Sequence, residues 1–434
     1  MTGIIQALLA AFGAATTAVT DAYFYLTTLL LPGNGTNGAQ NNTFLDSSSN
    51  AFSITRNGNT TQGTFTPFSQ TGWSYFSDSQ SNNTVGIYLN GETDFAFGTG
   101  DFTIEMWVNL YSKSPGQVIY DSRPDSTNGV YPTIYVDSSV NKLKFYVSSA
   151  DRITQTSTFT YNAWHHVVVT RTGTSTKMFV DGTQEGSTYT DSNNYINGTL
   201  RPFTGDGNTP NPSTNSYGVS GSISNLRVVK GSGPYQSAGS SITVPTSPLT
   251  PITNTVLLTL QSNRFIDTNT QTTAKTINTY NGPVIQSFSP FAPTAAYSAS
   301  TVGGSGYFDG SGDYLNAGSN AAFAFGTGAY TVECWVYPSN LNQQCYVTND
   351  TTNGSVFYFE TVGSAGFTIA PRGGAIILSG GYSSLKVNQW HHVVFCRAST
   401  SSNQTSIFVN GSRVANGTDS VSYTHLTLPT IYSV

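Results

Sequence analysis

Phe95-Ala-Phe-Gly-Thr-Gly100 runs into Phe102-Thr-Ile-Glu-Met-Trp-Val108, and Phe323-Ala-Phe-Gly-Thr-Gly328 runs into Tyr330-Thr-Val-Glu-Cys-Trp-Val336. Further along, Trp164-His-His-Val-Val168 returns as Trp390-His-His-Val-Val394, and Phe179-Val-Asp-Gly182 as Phe408-Val-Asn-Gly411. Three anchors recurring in one order, about 226 to 229 residues apart, mark a duplicated domain. Within an anchor the apolar residues alternate. Phe102, Ile104, Met106 and Val108 share one face of a strand, and Thr103, Glu105 and Trp107 share the other. Leu143, Phe145 and Val147 alternate in the same way. Asp181-Gly182 and Asn410-Gly411 suit type I′ hairpin turns, whose two central residues both need positive φ. Many short strands with turn signals predict an all-β sandwich in each repeat.

The 434 residues suffice for two domains, each large enough to bury a β core. Charged residues make up 9%, far below the roughly 25% of an average soluble domain. Ser, Thr, Asn and Gly fill the gap, with 25 Tyr and 25 Phe. The net charge of −5 is spread along the chain and no Lys/Arg cluster occurs, which argues against a nucleic-acid partner. Of the three cysteines, Cys334 and Cys396 stand where the first repeat has Met106 and Thr170. Buried free thiols are therefore favoured over a disulfide framework, with a Cys334–Cys345 bridge as the alternative.

Residues 1–21 are expected to form a short apolar helix that anchors on a partner or on the first domain. No Lys or Arg precedes Arg56, as a signal peptide would require, and Asp21 ends the run short of membrane-spanning length. A cleaved signal is the competing reading. Domain 1 is expected over 22–245 and domain 2 over 255–420, joined by a Pro-rich linker at 246–254. Leu29-Leu-Leu31 with Phe44-Leu-Asp46 echoes Val256-Leu-Leu258 with Phe265-Ile-Asp267, and Thr66-Pro-Phe68 echoes Ser289-Pro-Phe291. Val421-Ser-Tyr-Thr-His-Leu-Thr-Leu-Pro-Thr430 resembles a translated sequencing adapter, so 421–434 is expected to be an artefact of environmental DNA. The first repeat continues to Ile223-Ser-Asn-Leu-Arg-Val-Val229; the second has no counterpart.

These anchors resemble the laminin-G-like jelly-roll domains of the concanavalin A-like lectin/glucanase superfamily. The resemblance covers roughly residues 73 to 235 and 305 to 420, and implies two tandem concanavalin A-like jelly-roll sandwiches. It says little about activity, because this fold hosts lectins, adhesion modules, glycosidases and structural domains. Similar domains occur in proteins of marine bacteriophages, which implies an extracellular or virion-surface setting and an assembly there, homo-oligomeric or viral.

Adjacent residues on a strand point to opposite faces, so neither His165-His166 nor His391-His392 can chelate one ion. Trp164, His166, Trp390 and His392 are expected to be structural, one ring of each His pair inward and one near the surface. The glucanases' closely spaced acids, E-x-D-x-x-E, are not reproduced: Glu92-Thr-Asp94 lacks the final Glu. Glycoside hydrolysis needs two carboxyls, and Glu105 and Glu333 are solitary on their strands. Glu105 with Trp107, and Glu333 with Trp335, are candidate sugar contacts, an indole to stack on a pyranose and an acceptor for its hydroxyls. Core packing explains them as well. The loop from Thr204 to Tyr217 is a further candidate for ligand contact. The superfamily's calcium sites imply Asp309 and Asp313, on a Gly-rich turn, as candidate ligands. Turn formation alone also accounts for that pair.

The expected function is a non-enzymatic binding or adhesion protein whose partner is a surface glycan or protein. A purely structural virion or surface-layer component is the second reading, and a glycoside hydrolase the third.

Overall fold

The computed structural model describes residues 22–35, 43–68, 72–78, 85–89, 93–123, 129–196, 217–291, 298, 302–348, 357–362, 366–371, 376–423 and 430–432. The expected helix over 1–21 and most of the 204–217 loop lie outside them. Among the described residues no helix is long and apolar enough to cross a membrane.

In chain order the strands are β1 (Thr55–Asn57), β2 (Thr61–Gly63), β3 (Ser74–Asp78), β4 (Gly86–Tyr88), β5 (Phe102–Leu110), β6 (Gly116–Asp121), β7 (Thr133–Asp137), β8 (Lys142–Val147) and β9 (Ala150–Thr154). They continue as β10 (His165–Thr172), β11 (Ser175–Val180), β12 (Thr183–Thr190), β13 (Ser220–Lys230), β14 (Thr255–Thr259), β15 (Asn278–Tyr280), β16 (Val284–Gln286), β17 (Ser305–Tyr307) and β18 (Tyr314–Asn316). The last are β19 (Tyr330–Val336), β20 (Gln344–Thr348), β21 (Phe357–Val362), β22 (Gly366–Pro371), β23 (Leu378–Gly380), β24 (His391–Arg397), β25 (Thr405–Val409), β26 (Ser412–Gly417) and β27 (Thr430–Tyr432). The chain is all-β, as its alternating pattern predicts.

Two compact units result: residues 71–294, and residues 1–70 together with 295–434. In the unit 71–294, an antiparallel sheet runs β12-β11-β10-β5-β13-β3-β16, with β14 also paired to β13, and a second runs β6-β7-β8-β9. The hairpin β11–β12 turns at Asp181 and Gly182, with φ of 48° and 86°, as the Asp-Gly pair requires. The Phe102, Ile104, Met106 and Val108 face of β5 is fully buried. Its other face is buried too, so β5 lies in the core on both sides. The segment 246–254, expected as a linker, sits inside this unit. Leu249 is buried, and its N–H donates to Asn225 Oδ1.

The other unit has a four-stranded sheet β19-β24-β25-β26 and a larger one, β1-β18-β27-β20-β21-β22-β23. Its core gathers Tyr330, Phe367, Val393, Phe395 and Ile407. The β25–β26 turn again uses positive φ, at Asn410 and Gly411.

The echo between 29–68 and 256–291 becomes a structural repeat. β15 pairs with β4 and β16 with β3, while β1 pairs with β18 and β2 with β17. Phe291 meets Trp107 edge-on at 5.6 Å, and Phe68 meets Trp335 edge-on at 5.4 Å. Phe288 lies 5.1 Å from Trp164, and Phe65 lies 5.1 Å from Trp390. Asp267 accepts the N–H groups of Leu258, Asn269 and Lys275; Asp46 accepts those of Leu30, Ser48 and Phe52. Each jelly roll is thus covered by one copy of the same element. The copy at 255–291 follows its jelly roll in sequence, whereas the copy at 28–68 lies far upstream of its own.

Candidate functional site

Glu105 sits in mid-β5, between Val168 of β10 and Arg227 of β13 in register. The Arg227 Nε–H donates to Oε1 at 2.7 Å and the Tyr235 hydroxyl to Oε2 at 2.8 Å, with His166 Nε2 at 3.4 Å. Burial pushes this carboxyl's pKa up, but the His166 contact, the Arg227 charge and the Tyr235 hydrogen bond together hold it below the usual range. Trp107, stacked obliquely 5.0 Å from His166, is 8% exposed. A sugar platform needs an open indole face, so Glu105 and Trp107 do not form the expected one. They are interior residues of a buried ion network.

The second copy differs. Among the described residues the side-chain partner of Glu333 is His392, whose Nε2 lies 3.1 Å from Oε2, and the Glu333 side chain is 29% exposed. Trp335 is half-buried, 5.1 Å from the His392 ring. Among the described residues no counterpart of Arg227 faces this carboxylate.

The histidines behave as strand alternation requires. His166 turns to Glu105, while His165 Nδ1 meets Asp181 Oδ2 at 2.6 Å on the opposite side. Burial lowers the His165 pKa and the Asp181 contact more than restores it, leaving it raised overall. In the second pair both rings are buried, His391 meeting the Lys386 carbonyl and Asn410, so the inward-and-surface expectation holds in the first pair only. Trp390 is buried and Trp164 half-buried, each against a phenylalanine of the covering element.

Asp313 is buried, and its oxygens accept the N–H groups of Asn59 and Asp309. Asp309 accepts from the Ser311 N–H and the Asn59 side-chain amide. Both carboxylates therefore hold the 309–313 turn and tie it to Asn59, and no cluster of three metal-ligating side chains occurs among the described residues. The three cysteines are free thiols.

The arrangement that sequence reading missed is the outward face of the β6–β9 sheet. Lys142, Lys144 and Tyr146 alternate with buried Leu143, Phe145 and Val147 on β8, and Tyr135 of β7 stands opposite Lys144. Lys144 Nζ donates to Asp137 and to Asp151, each at 2.8 Å, and the Tyr135 hydroxyl donates to Asp151 at 2.8 Å. Arg123, clamped on Asp121, lies 5.8 Å over the Tyr146 ring, which meets Tyr135 edge-on at 6.3 Å. Burial and the Asp151 contact push the Tyr135 phenol's pKa up. Burial opposes ionisation of Asp137, but hydrogen bonds from Lys144 and Ser139 hold its pKa down. The signal was the period-two alternation of β8 itself, whose polar half had no assigned role.

Lys113, between β5 and β6, is buried with its ammonium donating to the Gly218 carbonyl at 2.7 Å. Burial moves its pKa from 10.5 down to about 8, against a smaller upward pull from Asp78. The unfolded chain then holds more protons than the folded one between about pH 8 and 10.5, so this residue's contribution to stability rises with pH across that window. Urea titrations from pH 7 to 10 are expected to show that rise in the parent protein and a flatter profile in Lys113→Met. Equal slopes in the two proteins would refute the assignment.

Residues 83–232 and 309–432 match the laminin-G-type pattern of the concanavalin A-like lectin/glucanases superfamily, and the chain belongs to that family. Among curated proteins none matches the chain. Among solved structures it is similar to domains LG4-5 of the mouse laminin alpha1 chain, at 12% identity over 85% of this chain and 84% of that one, TM-score 0.30. It is also similar to a candidate carbohydrate binding protein from Bacteroides ovatus, at 15% identity over 52% and 62%, TM-score 0.34. A third is the heptameric SAP-like pentraxin of Limulus polyphemus, at 12% identity over 50% and 94%, TM-score 0.35.

Proposed function

We infer that this is a non-enzymatic binding protein that recognises a surface glycan through the outward face of the β6–β9 sheet. One observation carries the reading. A chain with only 9% charged residues gathers two tyrosines and a Lys144–Asp137–Asp151 network, beside Arg123, on one sheet face. Tyrosine rings offer apolar faces for pyranose C–H groups, and the flanking charged side chains offer donors and acceptors for hydroxyls. Membership of a superfamily that includes lectins supports the same reading. The proposed setting is extracellular, on a cell or virion surface.

Hydrolysis is disfavoured by the same chemistry. A glycosidase acid must hold its proton near neutral pH, and the Lys144 contact drives Asp137 the other way. Glu105 is tied to Arg227 and buried.

Glycan-array screening of the full chain is expected to give a defined set of ligands. Tyr135→Ala/Tyr146→Ala is expected to weaken binding to them at least about tenfold, with circular dichroism unchanged. Silence across a diverse array, or undiminished binding by the folded double variant, would sink the reading.

A further inference from the structure

The β25–β26 turn is tied to the start of β24 at three points. The Asn410 N–H donates to the His392 carbonyl at 2.8 Å, the His392 N–H donates to Asn410 Oδ1 at 3.1 Å, and Asn410 Nδ2 lies 3.0 Å from His391 Nδ1. A backbone N–H and a side-chain amide nitrogen can only donate, so Oδ1 faces His392 and Nδ2 faces His391. His391 Nδ1 is therefore the acceptor and its proton sits on Nε2. The Nε2–H donates to the Lys386 carbonyl at 2.8 Å, the shorter of its two contacts with that residue.

The first copy holds a carboxylate in the same cradle. The Asp181 N–H donates to the His166 carbonyl at 2.9 Å, the His166 N–H donates to Asp181 Oδ1 at 2.8 Å, and His165 Nδ1 lies 2.6 Å from Oδ2. Exchanging the Asn410 amide for a carboxylate reproduces that arrangement contact for contact. The residue that follows is glycine, whose nitrogen carries no side chain to hinder it.

We propose that Asn410 is a self-modifying residue: the Asn410-Gly411 pair closes to a succinimide and reopens to an aspartate at position 410. The Gly411 nitrogen attacks Cγ, forms the new C–N bond and gives up its proton to solvent. Negative charge gathers on Oδ1 in that step, and the His392 N–H already points at it. The Cγ–Nδ2 bond then breaks, and the departing nitrogen must gain a proton to leave as ammonia. His391 Nδ1 stands within hydrogen-bond reach of that nitrogen. A planar amide nitrogen has no free lone pair, so an imidazolium at 391 matches Asn410 poorly before attack. The tetrahedral amine formed by attack has one, so the same imidazolium matches the transition state. His391 regains its proton from solvent. Water then adds to Cγ, the bond to the Gly411 nitrogen breaks, and that nitrogen recovers its proton as the carboxylate forms. Gly411 is exposed, which gives water access to the ring. The His392 N–H polarises the Cγ carbonyl again, which directs opening to aspartate over isoaspartate. The site is remote in sequence from the β6–β9 face and lies in the other unit, so neither reading depends on the other.

The test holds the full chain in warm neutral buffer made with heavy-oxygen water and follows its tryptic fragments by mass spectrometry. Asn57-Gly58 and Asn416-Gly417 are internal references; the Asn416 side chain meets the Ser406 hydroxyl at 3.1 Å. Asn410 is expected to convert at least about tenfold faster than either reference, because a positioned acid serves its leaving group. Each event is expected to carry one labelled oxygen and to give mainly aspartate. Conversion at 410 is also expected to be faster in the folded chain than in the same chain unfolded by urea. His391→Gln is expected to bring Asn410 down to the reference rate while Asn57 and Asn416 keep theirs. Slower conversion of Asn410 in the folded chain than in urea, a rate no greater than the references', an unchanged rate in His391→Gln, or isoaspartate as the main product would overturn the proposal.

Discussion

Glu105→Gln is expected to destabilise the unit 71–294 by about 3–5 kcal/mol, whereas Glu333→Gln changes the other unit by less than about 1 kcal/mol. The two residues occupy the same position of the same motif. What separates them is their surroundings. Glu105 is the buried counter-ion of Arg227, itself 5% exposed, and losing the negative charge leaves a guanidinium in the interior with no compensating carboxylate. Glu333 touches water and His392. Urea unfolding followed by hydrogen exchange at β5 and at β19 separates the two units' responses. Comparable losses in both variants would show that the Arg227 contact is not the source of the difference.

Arg397→Met is expected to remove about 3–5 kcal/mol from the unit containing β19. The guanidinium is 1% exposed. Its Nη1–H donates to Asp419 at 3.1 Å and to the Val421 carbonyl, and other N–H groups reach the carbonyls of Gly326 and Gly328. Its Cζ lies 4.8 Å from the Tyr330 ring centre and 5.2 Å from that of Tyr423. Methionine fills much of the volume yet removes the counter-charge of the Asp419 carboxylate, which keeps the Tyr330 and Tyr423 hydroxyls and the Val421 N–H, and removes a donor from the carbonyls of Val421, Gly326 and Gly328. Arg397→Lys keeps the charge but not the fork or the stacking, so it is expected to recover only part of the loss. A Met variant within about 1 kcal/mol of the parent would contradict this account. In the first copy Arg171 lies over Tyr195, and the bridge between Gly98 and Tyr195 matches that between Gly326 and Tyr423.

Much of this was legible in the residues. The anchors located the duplicated strands β5 and β19, Asp-Gly and Asn-Gly fixed two hairpins, and alternation placed His165 and His166 on opposite faces. The covering elements were visible as an echo, but likeness does not say which jelly roll each covers, since that depends on contacts over more than 200 residues. Glu105 pairs with an arginine 122 residues away, so its burial could not be read from β5. The Tyr135–Lys144–Asp151 face was hidden for a related reason: polar residues on alternate strand positions gain meaning only once β7, β8 and β9 are laid side by side.

The separation of 28–68 from the jelly roll it covers has a bearing on biosynthesis. Residues 71–294 are contiguous and can fold as soon as they leave the ribosome. The first covering element emerges before them, while Trp335 and Trp390, which Phe68 and Phe65 meet, lie far downstream of it. At about 5–20 residues per second Phe65 and Phe68 wait uncovered on the order of thirteen to sixty-five seconds. Translation speed, more than the closure entropy of the intervening chain, is then the quantity that governs how much nascent protein is captured by chaperones or aggregates before the second unit closes.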